Sequence, residues 1–141
     1  MIYSVQVRRT EKKGGRGSLK TRESAENYLE TILMLSQSGK PVRSIDVAAE
    51  LDFTKPSVSV AMKNLRAGGH IEVGPDGYIT LTDSGRGIAE TMYERHTLIS
   101  DWLVRLGVDR ETAVNDACRM EHAMSGQSFS AIKKHIEQRG G

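Results

Sequence analysis

Cys118, Glu121 and His122 place the only cysteine of the chain, a carboxylate and an imidazole at i, i+3 and i+4 within Asp116-Ala117-Cys118-Arg119-Met120-Glu121-His122. Residues three and four apart share one face of an α-helix, so on a helix these side chains can converge on one point. A thiolate, a carboxylate and an imidazole together suit a divalent first-row transition ion such as Fe(II), Mn(II), Co(II) or Zn(II). Three donors on one helix do not complete a site, and the source of the others decides what the metal controls. Two other chemistries compete for the same residues. A Cys118 nucleophile with His122 as its base would need an orienting group and oxyanion donors, and none accompanies them. Oxidant sensing by a low-pKa Cys118 thiol on a metal-free regulator is the alternative reading.

The elements that must position these residues can be read from hydrophobic spacing. Tyr28, Leu29, Ile32, Leu33 and Leu35 predict a helix from about Ser24 to Ser36, with Ser24 as its cap. Ser44–Leu51 reads as a short helix with Ile45, Ala48, Ala49 and Leu51 inward. After the connection Asp52-Phe53-Thr54, a third helix is capped by Thr54, tolerates Pro56 in its first turn and buries Val58, Ala61, Met62 and Leu65. Two short helices joined this tightly form a helix-turn-helix. Ala67-Gly68-Gly69 stops the third helix. His70–Val73 and Tyr78–Leu81 then alternate around Gly74-Pro75-Asp76-Gly77, a hairpin pattern. Helix, helix-turn-helix and hairpin are the order of a winged helix, whose third helix offers Thr54, Lys55, Pro56, Ser57, Ser59 and Lys63, together with Asn64, to base edges and phosphates of double-stranded DNA.

Beyond a Thr82 cap, a long helix runs to about Leu106 and is ended by Gly107. Asp109 caps the helix that bears Cys118, Glu121 and His122, and Ser125-Gly126 separates it from a last helix ending near Gln138. Leu98, Ile99, Trp102, Leu103 and Leu106 supply more apolar surface than one small domain needs, which predicts a homodimer suited to a palindromic operator. The fold class is therefore mainly α. A basic arm (1–23) is followed by a winged helix-turn-helix DNA-binding domain (24–83) and an all-helical metal-binding and dimerisation domain (84–141). His70 and His135 are expected to lack partners.

Composition sets the frame around this reading. The 141 residues can bury a core without staples, and a lone cysteine makes no internal disulfide, in keeping with a reducing cytoplasm. Met1–Val7 lacks a secretory pattern, and no apolar run reaches the roughly 18 residues needed to span a bilayer, so a soluble cytoplasmic protein with no membrane partner is expected. The formal charge of +2 hides an asymmetry: residues 1–23 carry seven basic and two acidic side chains, leaving the rest of the chain net acidic. Such an arm is suited to phosphate neutralisation beside a docked DNA-binding domain.

From Ala25-Glu26-Asn27-Tyr28-Leu29-Glu30 through Tyr93-Glu94-Arg95-His96 and Gly107-Val108-Asp109 to Asp116–Ser125, the chain resembles the metal-activated repressors related to the diphtheria toxin repressor, which have iron-responsive and manganese-responsive branches. The resemblance implies a regulator, not an enzyme, that represses metal-uptake genes when metal is plentiful. Its ligands carry over to His96, Glu121 and His122, with Cys118 matching the iron branch and Glu30 the manganese branch. Asn27 stands where the iron branch has Met and the manganese branch Asp. Ser100 and Val114 replace a carboxylate and an imidazole of the ancillary site. Fe(II) is the expected activator and Mn(II) the second, with Co(II), Ni(II) or Zn(II) able to substitute in vitro.

Overall fold

The computed structural model describes residues 17–139, with side-chain surroundings from Arg22 onward. In chain order it comprises α1 (Gly17–Ser36), α2 (Ser44–Leu51), α3 (Lys55–Ala67), β1 (Ile71–Val73), β2 (Ile79–Leu81), α4 (Asp83–Arg105), α5 (Arg110–Ala123) and α6 (Gly126–Gln138). The chain divides into two compact units, Met1–Thr91 and Met92–Gly141, and α4 contributes residues to both.

In the first unit, α1 buries Tyr28, Leu29, Ile32 and Leu33, and packs on α2, α3 and β2. The turn from α2 into α3 is made by Asp52 at φ +56°, a left-handed conformation that Asp tolerates better than most side chains. That turn brings Phe53 edge-on to Tyr28, with ring centroids 5.9 Å apart. Thr54 caps α3 by accepting from the Ser57 N–H at 3.3 Å, and Val58, Met62 and Leu65 face the core. β1 and β2 pair antiparallel, with Ile71 opposite Leu81 and Val73 opposite Ile79. Gly77 closes their turn at φ +82°, and the Ile79 N–H bonds Val42 O at 2.7 Å, tying the wing to the segment before α2. Thr82 caps α4 by accepting from the Gly85 N–H at 3.2 Å, while its hydroxyl donates to Gly69 O at 2.7 Å.

Four expectations are revised. α1 begins at Gly17, so Ser24 lies within the helix and not at its cap, and residues 17–23 of the basic arm are helical; the remainder of the arm lies outside the described residues. Leu19, Lys20, Arg22 and Glu23 are good helix formers without an apolar stripe, so they extend a helix that burial does not announce. In α2 the inward residues are Val47, Ala48 and Leu51, whereas Ala49 is exposed and Ile45 is 52% exposed. Ala61 is only half-buried. His70 has a partner, its Nδ1 lying 2.8 Å from Ser84 Oγ.

In the second unit, α4 buries Met92 and Ile99, α5 buries Ala113 and Ala117, and α6 buries Phe129 and Ile136. Gly107 at φ +107° ends the turn after α4. Asp109 caps α5 by accepting from the Thr112 N–H at 3.0 Å and the Thr112 hydroxyl at 2.9 Å, bonds that hold its carboxyl below the usual carboxylate range. Ser125 caps α6 in the same way, accepting from the Ser128 N–H at 3.1 Å. Among the described residues no helix is long and apolar enough to cross a membrane.

Two glycines in the first turns of α4 separate steric need from propensity. A Cβ on Gly85 would lie 2.0 Å from the backbone oxygen of His70, whereas one on Gly87 would meet nothing within 4 Å. Gly85→Ala should destabilise the protein by about 1–3 kcal/mol through overpacking, and Gly87→Ala should stabilise it by up to about 1 kcal/mol through helix propensity. Urea denaturation of the two variants checks both signs.

Candidate metal centre

Helical spacing on α5 does most of the work of assembling the site. Cys118 and Glu121 are buried one turn apart, and the adjacent His122 is half-buried. The fixed turn between Cys118 and Glu121 presents both toward α4, where His96 is also buried. His96 Nδ1 lies 3.7 Å from Cys118 Sγ and 3.5 Å from Glu121 Oε2. One donor atom from each of these three residues falls within 4.8 Å of the other two.

These spacings can be compared with those of donors that share an ion. Metal bonds of about 2.0–2.3 Å set at a tetrahedral angle leave the donor atoms roughly 3.5 Å apart. The pairs at His96 Nδ1 meet that spacing, and thiolate, carboxylate and imidazole form a donor set for a first-row transition ion. The residues fit a metal. His122 takes a different position, with its Nε2 3.4 Å from Glu121 Oε1. Glu121 therefore presents one oxygen to each imidazole. Asn27 and Glu30 lie three residues apart on α1 in the first unit, Asn27 half-buried and Glu30 buried. Ser100 is buried and spends its hydroxyl on the carbonyl of His96 at 2.7 Å, and Val114 offers no donor.

Burial lowers the His96 imidazole to about 4, with Asp101 opposing that shift and His122 adding to it. A ligating imidazole must be neutral, with its remaining proton on the other ring nitrogen. At neutral pH His96 is thus already neutral, as a ligating imidazole must be.

Arg95, which precedes His96 on α4, has a role that no sequence spacing signals. Its side chain is buried, and Nη1 donates to Glu121 O at 2.9 Å and Met124 O at 2.8 Å, both carbonyls at the C-terminal end of α5. The guanidinium also lies over the Phe129 ring, 5.2 Å from its centroid. One cation thereby fixes the end of α5 to α4 and α6 beside the donors. No sequence pattern marks this, because its acceptors are backbone carbonyls far along the chain.

The exposed start of α3 forms a second candidate surface. Thr54, Lys55, Pro56, Ser57, Ser59 and Lys63 are all exposed. Two of their hydroxyls are joined, Thr54 Oγ1 donating to Ser57 Oγ at 2.8 Å.

Residues 20–78 match the N-terminal DNA binding domain of iron dependent repressors, and residues 82–139 match the metal binding and dimerisation domain of the same proteins. The chain belongs to the iron-dependent repressor family. It is 34% identical over 119 residues to the transcriptional regulator MntR of Escherichia coli O6:H1, covering 84% of this chain and 77% of that one. With the iron-dependent repressor IdeR of Mycobacterium tuberculosis it shares 33% identity over 104 residues, covering 73% of this chain and 45% of that one. A solved manganese-dependent transcriptional repressor in complex with manganese superposes with a TM-score of 0.74 at 29% identity, over 80% of this chain and 52% of that one. The chain thus spans about half the length of the solved repressor and of IdeR. Members of this family are metal-dependent transcriptional regulators and not enzymes, and the winged helix followed by a helical metal-binding and dimerisation domain is their architecture.

The site yields two expectations. Unfolded His96 takes up a proton near pH 6.5, whereas the folded imidazole resists until about 4. The unfolded chain binds more protons between those values, so the metal-free protein should lose stability as pH falls through that window, by on the order of 3 kcal/mol at its lower end. Urea denaturation at neutral and acidic pH should show a larger loss for the parent protein than for His96→Gln, and equal losses would contradict the assignment. Arg95→Gln should cost about 2–4 kcal/mol, because two buried carbonyls lose a charged donor. Thermal unfolding of the metal-free protein measures that.

Proposed function

We propose that this chain is a metal-activated repressor of metal-uptake genes that binds a palindromic operator as a homodimer, with Fe(II) as its principal activator and Mn(II) as a second. Co(II), Ni(II) and Zn(II) are expected to substitute in vitro. The observation that carries the reading is the buried trio His96, Cys118 and Glu121, whose donor atoms lie within 4.8 Å of one another. Burial of the Cys118 thiol favours a ligand over a surface oxidant sensor.

In this reading His96 Nδ1, the Cys118 thiolate, Glu121 and His122 would hold the metal, with Glu121 presenting one oxygen to each imidazole. A bound divalent ion supplies the positive charge that lets a thiolate and a carboxylate stay ionised side by side. Asn27 and Glu30 of α1 are included as further donors on the strength of the family likeness, and through them the DNA-binding domain joins the same ligand set. Metal and operator then bind with positive coupling of about 1–3 kcal/mol, and by reciprocity operator DNA tightens metal binding by the same factor. Thr54, Lys55, Pro56, Ser57, Ser59 and Lys63 are the proposed DNA contacts. Support for the homodimer comes from the half-buried Trp102, Leu103 and Val104 and from Leu106, which is 64% exposed. A cytoplasmic location follows from binding the chromosome.

Metal activation can be tested by mobility shift on a selected operator in chelator, in Fe(II) without oxygen and in Mn(II). Either ion should raise the affinity of the parent protein by about 5- to 150-fold, and Glu121→Gln should abolish the increase while binding the operator as the metal-free parent does. Equal affinity with and without metal would leave a winged helix that is not metal-switched.

A further inference from the structure

Glu121 and His122 stand in the last turn of α5, which ends at Ala123. A helix frays at its ends, because its final carbonyls have no intrahelical donor. Many helices stop that fraying with a left-handed glycine, after which the chain's amides reach back to those carbonyls. α5 has no such cap: Met124 follows it in an extended conformation, at φ −92° and ψ 144°. Donors for an ion thus occupy the part of the helix least able to hold them still.

Arg95 takes the place of that cap. Its side chain reaches across from α4 and donates through Nη1 to Glu121 O at 2.9 Å and Met124 O at 2.8 Å. Because Arg95 also precedes His96, one side chain joins the backbones of two donor residues. Stability alone is a poor explanation for it. Arg95 is 8% exposed, and among the described residues no acceptor meets its Nε. Burying a guanidinium so incompletely bonded carries a desolvation cost. A glycine cap would satisfy carbonyls at a helix end without that cost. The Phe129 ring, 5.2 Å from the guanidinium, offsets part of it through a cation–π contact and keeps the group in place.

We propose that Arg95 is a positioning residue of the metal centre, and that by clamping the last turn of α5 to α4 it sets the affinity of His96, Cys118 and Glu121 for a divalent ion. Arg95 touches no ion itself. The inference rests on the reading of these three residues as metal ligands. Groups that orient a ligand in this way account for about 10- to 100-fold in metal affinity.

The test adds Co(II) to the metal-free full chain without oxygen, against a competing chelator, and follows the thiolate-to-cobalt charge-transfer absorption of Cys118. Arg95→Gln should bind Co(II) about 10- to 100-fold more weakly than the parent. Its ligand-field bands should also change, because the donors are displaced. Arg95→Lys keeps the charge but is too short to keep both bonds, so it should lose part of the affinity, and it carries the comparison if Arg95→Gln does not fold. Ile136→Ala opens a cavity at a buried position of α6 and destabilises the same unit, yet should bind Co(II) as the parent does. Parent-like affinity in both Arg95 variants that fold, or in the one that does, overturns the assignment and leaves the metal centre standing. An equal loss in Ile136→Ala does the same, since it would make Arg95 a merely structural residue. A parent that develops no thiolate band overturns the metal-centre reading and this inference with it.

Discussion

Glu121 is a carboxylate with no solvent exposure, and the arrangement of the second unit follows from keeping it there. Taking an ionised carboxylate out of water costs several kcal/mol even after the surroundings relax, unless charge or hydrogen bonds compensate. The groups around it include His96 Nδ1 at 3.5 Å and His122 Nε2 at 3.4 Å. Burial holds His96 neutral at ordinary pH, so that imidazole supplies polarity and not a full positive charge. A divalent cation would add positive charge that suits such a donor set. The cost of burying the carboxylate and the means of recognising a metal are therefore one feature, and metal binding returns free energy that folding has spent.

A cluster of this kind functions only if its members hold still, and Arg95 explains how they do. Helix C-termini leave carbonyls without intrahelical donors. On α5 two such carbonyls, those of Glu121 and Met124, accept from one buried guanidinium. Because Arg95 is the residue before His96 on α4, the bond that fixes the backbone of Glu121 also fixes the distance between the two donors. The Phe129 ring beneath the guanidinium extends the tie to α6. By comparison, the Lys133–Glu94 pair at 2.6 Å is half exposed and adds little by itself.

What could be read from the sequence and what could not divide along the range of the interactions. Thr54, Thr82 and Asp109 marked helix starts correctly because a cap is a bond between a side chain and an amide three residues away. That Cys118, Glu121 and His96 come together was legible because helical spacing is local and the family pattern is specific. The phase of α2 was legible only in part: in eight residues, Ile45-Ala48-Ala49-Leu51 fits a helical template as well as Val47-Ala48-Leu51, and only packing against α1 and α3 decides. The start of α1 was missed because helix propensity without an apolar stripe gives no burial signal. His70 with Ser84, and Arg95 with the carbonyls of Glu121 and Met124, join positions 14, 26 and 29 residues apart through groups that no pattern pairs.

The donor set also bears on the difference between holding a metal and responding to it. His96, Cys118 and Glu121 all belong to the second unit, so an ion satisfied by few ligands finds them there. Zn(II) favours four-coordinate sites and binds thiolate and imidazole tightly, which lets it be held by few ligands. Fe(II) and Mn(II) are weaker binders in the first-row order and accept more oxygen donors, so their binding gains more from additional carboxylate and amide oxygens. Holding an ion and distinguishing among ions are therefore separate properties of such a donor set, the second following from how many further ligands each ion demands.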